Sequence, residues 1–113
     1  MKTVTDKPCF QGDLCIFCIE EIPADAILAK PENDEYILAH SETGHHHVIE
    51  RPRAEVFEAA DDEFISYVRA LGDVKITHKR DFDTHEPILL KPGNYEVRRQ
   101  REYVPQGFRH AAD

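Results

Sequence analysis

The stretch Glu35-Tyr36-Ile37-Leu38-Ala39-His40-Ser41-Glu42-Thr43-Gly44-His45-His46-His47-Val48-Ile49-Glu50 decides how this chain reads. Two short apolar runs flank a polar connection that ends in Gly44, the pattern of a β-hairpin. With residues 41–44 as the loop, His40 pairs with His45, Leu38 with His47 and Tyr36 with Ile49. Side chains alternate along a strand. One face then carries Tyr36, Leu38, His40, His45, His47 and Ile49, and the other Ile37, Ala39, His46, Val48 and Glu50. Imidazoles therefore gather at one end of an otherwise apolar face. A register slip of one residue would scatter them.

Short strands continue on both sides of this hairpin. Gly12-Asp13 is a turn, followed by the strand Leu14-Cys15-Ile16-Phe17-Cys18-Ile19, apolar on both faces and so expected to be central. Ala26 to Lys30 is a short strand, and Pro31 to Asp34 a turn. Residues 54–71 admit two readings. Ala54, Phe57, Phe64, Val68 and Leu71 fit a helical stripe, with Pro52 at its start and Gly72 past its end. Asp61-Asp62-Glu63 instead reads as a turn between two strands, and β-branched and aromatic residues in Phe64-Ile65-Ser66-Tyr67-Val68 favour that second reading. Val74 to His78 alternates cleanly, with Val74, Ile76 and His78 on one face. Ile88-Leu89-Leu90 leads to the turn Lys91-Pro92-Gly93-Asn94 and a last strand from Tyr95 to Tyr103. The fold class expected is mainly β, a small single-domain barrel or sandwich of short antiparallel strands over residues 1–113, with residues 1–8 and 104–113 as loose termini.

The composition agrees with a folded domain. Of 113 residues, 41% are hydrophobic, and 14 basic residues face 22 acidic ones for a net charge of −8. That balance repels phosphate and opposes nucleic acid as a partner. No run approaches the roughly 18–20 apolar residues that span a bilayer, so no membrane association is expected. Residues 1–8 hold no apolar signal core. Together with 3 cysteines, an odd count, this points to a reducing, cytoplasmic setting.

The 7 histidines are the strongest chemical signal. Neutral imidazole is the commonest protein metal ligand. Two of them at i and i+2 share one face of a strand, so His45 and His47 can chelate one ion, with His40 adjacent across the hairpin. His78 and His85 are the further candidates. Nitrogen ligands in that number suit a divalent transition metal such as zinc, iron, nickel or manganese. The competing reading is a hairpin tip whose histidines are solvated or bonded to backbone carbonyls.

Gly44-His45-His46-His47-Val48-Ile49-Glu50 resembles the first metal motif of cupins, a Gly followed by His-x-His and a later Glu, and Lys91-Pro92-Gly93 is similar to the Pro-Gly turn of their second motif. The resemblance implies a small double-sheet barrel with His45 and His47 as metal ligands. Glu50 lies closer to His47 than the family's Glu does, and no His follows the Pro-Gly turn, so His78 or His85 would have to stand in. The layout as a whole, from Gln11-Gly12-Asp13 through Ile76-Thr77-His78 and His85-Glu86-Pro87-Ile88 to Arg99-Gln100-Arg101-Glu102-Tyr103, also resembles small bacterial and phage-linked proteins with no assigned activity.

Other motifs have plainer explanations. Cys15 and Cys18 lack a second cysteine pair and read as buried structural thiols. Arg98-Arg99-Gln100-Arg101 reads as a charged edge strand that discourages sheet-to-sheet association. Two functions follow. One is a metal site open to a small-molecule ligand, with Tyr36 or Tyr95 available to hydrogen-bond it; whether it is catalytic the residues leave open. The other is a noncatalytic module that binds a protein partner. Strands with two apolar faces are also compatible with a homodimer.

Overall fold

A computed structural model describes residues 1–30, 35–39, 47–50, 53–78, 86–99, 101–104 and 107–110. The strands are β1 (Lys2–Thr3), β2 (Cys9–Gln11), β3 (Leu14–Ile19), β4 (Ile27–Leu28), β5 (Glu35–Ala39), β6 (His47–Glu50), β7 (Ala54–Glu58), β8 (Ile65–Ala70), β9 (Val74–His78), β10 (Ile88–Leu90), β11 (Gly93–Arg99), β12 (Arg101–Val104) and β13 (Gly107–His110). Among the described residues there is no helix, hence none long and apolar enough to cross a membrane.

The strands form two open sheets, one ordered β1-β10-β9-β6-β5 and the other β2-β3-β11-β8-β7-β4, with β12 and β13 as a separate hairpin. Among the described residues neither sheet closes on itself, so of the two expected architectures, barrel or sandwich, the strands form a sandwich-like pair of sheets. Every pairing is antiparallel except β1 with β10. A single core lies between the sheets. Leu38, Ile49, Val74, Ile76, Ile88 and Leu90 come from the five-stranded sheet, and Leu14, Ile16, Val56, Val68, Tyr95 and Val97 from the six-stranded one.

Residues 54–71 form two strands and not a helix. Ala54, Val56, Val68 and Ala70 are buried in register, Ala54 opposite Ala70 and Val56 opposite Val68. A period of two therefore outweighs the coincidental helical spacing of Phe57, Phe64 and Leu71. Asp62 closes the turn, its side chain accepting from the Phe64 amide at 2.9 Å and its carbonyl from the Ile65 amide at 3.2 Å. The β2–β3 hairpin turns on Gly12, whose φ of 56° suits the two-residue connection between the partners Gln11 and Leu14.

Strands also occur near both ends of the chain. β1 adds to the edge of β10, and Val4 is buried in the core with its amide donating to the Leu89 carbonyl at 3.2 Å. Near the other end, β12 and β13 pair from Arg101↔His110 to Val104↔Gly107. The single strand expected over 95–103 is thus divided, with β11 ending at Arg99.

Candidate functional site

The histidine question turns on how β6 meets its neighbours. Tyr36 pairs with Ile49 as expected, but the register shifts between Ile37 and Ala39, so that Ala39 and not Leu38 is the partner of His47. The extra residue is a bulge, which alternation alone does not reveal. On its other side β6 pairs with β9, placing Ile49 opposite Ile76, Val48 opposite Thr77 and His47 opposite His78. Two histidines 31 positions apart in sequence are thus direct register partners, in phase with the buried Ile49–Ile76 pair.

His40, His45 and His85 lie outside the described residues, as does the Pro31–Asp34 turn. Among the described residues no three His, Cys, Asp or Glu gather as a metal group. His110 is apart, opposite Arg101 in the β12–β13 hairpin.

The end of the sheet that carries His47 and His78 is fixed from below. Ile49, Ile76 and Ile88 form a continuous register row, all fully buried. Gln11, 2% exposed, donates from Nε2 to the Ile76 and Glu86 carbonyls, each at 3.0 Å. Gln11 opposes Leu14, which opposes Arg99. The Gln11–Leu14–Arg99 end of the six-stranded sheet therefore stacks over the His47–His78 end of the other. At this end a groove of about 570 Å³ opens, lined by Tyr36, Leu38, Val56, Glu58, Ser66 and Arg99 among others.

Sequence reasoning missed this groove, although its signal was present. Glu58, Ser66 and Arg99 occupy strand positions in phase with the buried Val56, Val68 and Val97, where a sealed core would hold apolar residues.

The remaining motifs read differently in three dimensions. β11 is a central strand, between β3 and β8, so the arginine run is no edge device. Arg98 is bonded to Glu96, which chiefly raises its pKa, and lies 6.0 Å from the Phe17 ring centroid. Arg99 lies 6.0 Å from that of Phe64. β3 has neighbours on both sides, and on its outer face Cys15 and Phe17 are half-buried. Cys18 is exposed, against the expectation of a buried thiol. Burial pushes the Cys15 thiol upward, the opposite of what a reactive thiolate needs. Tyr95, offered as a ligand partner, instead donates to the Lys91 carbonyl at 2.6 Å.

Residues 10–100 match a family described as a domain of unknown function, DUF8820. The chain belongs to the DUF8820 family. The matched span contains both His47 and His78 and nearly all of the two sheets. The match lends no support to the cupin resemblance. No curated protein and no solved structure matches the chain.

Proposed function

We propose that this DUF8820 domain binds a divalent transition metal through a histidine set centred on His47 and His78. The observation that carries the reading is their direct pairing across β6 and β9. Neighbouring strands lie about 4.8 Å apart, a spacing that two imidazoles can bridge through one ion. His40 follows Ala39, the other register partner of His47, and His45 precedes His47 by two residues. His40, His45 and His85 are the proposed further ligands. The Gly44-His45-His46-His47 segment, with its cupin-like spacing, supports the same donors. Nitrogen ligation of this kind suits zinc, iron, nickel or manganese and leaves room for a water or small-molecule ligand.

Elemental analysis of protein purified without a histidine tag tests the reading. Roughly one metal per chain is expected, lost in His47→Ala and in His78→Ala. Wild-type protein that stays metal-free after incubation with zinc, iron(II), nickel and manganese would sink it.

A noncatalytic interaction module has its own support. The outer face of the six-stranded sheet leaves Phe10 48% exposed on one edge strand and Leu28 57% exposed on the other, where Leu28 is opposite Phe57 and Arg69 stacks 5.2 Å from the Phe57 ring centroid. Sedimentation of wild type against Phe10→Lys would show whether this face self-associates.

A further inference from the structure

We infer that the groove between β5 and the β7–β8 hairpin is a binding site for a small organic cation with an apolar body, of the alkyl- or arylamine class. Its volume of about 570 Å³ lies within the roughly 300–1,000 Å³ typical of small-molecule sites. The floor is apolar. Leu38 and Val56 line it and are both core residues, one from each sheet.

The mouth is polar for a reason of register. On β7 the inward series runs Ala54, Val56, Glu58, and on β8 it runs Ala70, Val68, Ser66, with Glu58 directly opposite Ser66. The core therefore ends in a carboxylate and a hydroxyl instead of closing on aliphatic side chains. The β7–β8 turn adds Asp61, Asp62 and Glu63, so that four carboxylates line the groove against Lys30 and Arg99. Asp62 is engaged with the Phe64 amide. Glu58, Asp61 and Glu63 form no ion pair among the described residues.

An ammonium group meeting those carboxylates, with its hydrocarbon part on Leu38 and Val56, satisfies both halves of the lining. The half-buried Tyr36 adds an aromatic surface of the kind that favours cations. The net charge of −8 further concentrates cations near the protein and repels carboxylate ligands of the same shape. None of this requires a metal at His47 and His78.

The test is a titration followed by backbone amide NMR, using phenethylamine, hydrocinnamate as the matched anion and phenethyl alcohol as the matched neutral compound. Saturable shifts centred on Tyr36, Val56 and Ser66 are expected for the amine alone. Affinity should fall roughly two- to fivefold for each carboxylate neutralised in Glu58→Gln, Asp61→Asn and Glu63→Gln. These substitutions lie at exposed positions and leave the core intact. Equal response to the anion or the alcohol, shifts that never saturate, or an affinity unchanged in all three variants would overturn the assignment.

Discussion

Gln11 and Ile76, 65 positions apart, are joined by a 3.0 Å hydrogen bond from the Gln11 Nε2 to the Ile76 carbonyl. The same nitrogen donates to the Glu86 carbonyl at 3.0 Å, so a single buried amide links the β2–β3 hairpin to β9 and to the segment that enters β10. Gln11→Leu keeps the volume but removes the donors, and should cost about 1–3 kcal/mol. Gln11→Glu should be worse at neutral pH, because an ionised carboxylate offers those carbonyls no proton and is itself a buried charge. Lowering the pH should recover part of the loss, since a protonated carboxyl is again a donor. Urea denaturation of the two variants at neutral and mildly acidic pH measures all of this.

The pairing of His47 with His78 makes a linkage prediction. A ligand bound by the folded state alone raises its stability with concentration, by about 2.7 kcal/mol at a hundredfold excess over Kd. The wild-type Tm should therefore rise when zinc is added to chelator-treated protein. His47→Ala and His78→Ala should each lose most of that rise. A Tm that responds equally in wild type and both variants would place the metal elsewhere.

The sheet architecture was legible in the sequence where apolar and polar residues alternate. β9 follows the alternation of Val74–His78, because burial of one face imposes a period of two, whereas β3 stands out as an unbroken apolar run and β8 by its β-branched and aromatic residues. The site was less legible. The shift between Ile37 and Ala39 moved His47 from Leu38 to Ala39, and bulges leave no trace in alternation. That β6 pairs with β9 is a long-range choice that no local pattern encodes, so His78 could be named only as one candidate among several. The groove left a local trace only in the polar residues Glu58, Ser66 and Arg99, and no local pattern encodes that Leu38 and Val56 meet across two sheets. The parallel strand β1 rests on Val4 alone for its core contact, too little apolar signal to stand out in residues 1–8.

Two tyrosines set an alkaline limit. Burial chiefly raises the pKa of both Tyr67 and Tyr95, so each phenol holds its proton more tightly folded than unfolded. Their contribution is complete below the ordinary phenol range of roughly pH 10 and is lost as pH rises through the folded values. The urea midpoint should thus be flat near pH 8 and fall above pH 10, at about the usual phenol range or beyond. Tyr95→Phe should flatten the fall while lowering stability at neutral pH by about 1 kcal/mol, through loss of the bond to the Lys91 carbonyl. A midpoint equally steep in Tyr67→Phe, Tyr95→Phe and wild type would exclude these phenols as the cause.

Thr77 stands beside His78 and opposite Val48, and among the described residues its hydroxyl is the buried side-chain group without a hydrogen-bond partner. Val48 is 1% exposed yet lies outside the core cluster, out of phase with Ile49, so this side of the sheet is shielded from water around the Val48–Thr77 pair. A hydroxyl stripped of water and left unpaired costs about 1–3 kcal/mol. Thr77→Val removes it while keeping the β-branched shape that suits a strand. The variant should therefore unfold at the same or a higher urea concentration than wild type, by up to about 1 kcal/mol. Thr77→Ser keeps the hydroxyl, removes a methyl and should lose about 1 kcal/mol. Because Thr77 is out of phase with His78, metal content should be the same in both variants. A clear loss of stability in Thr77→Val would mean that the hydroxyl is paired in solution, and a loss of metal would mean that it belongs to the histidine site.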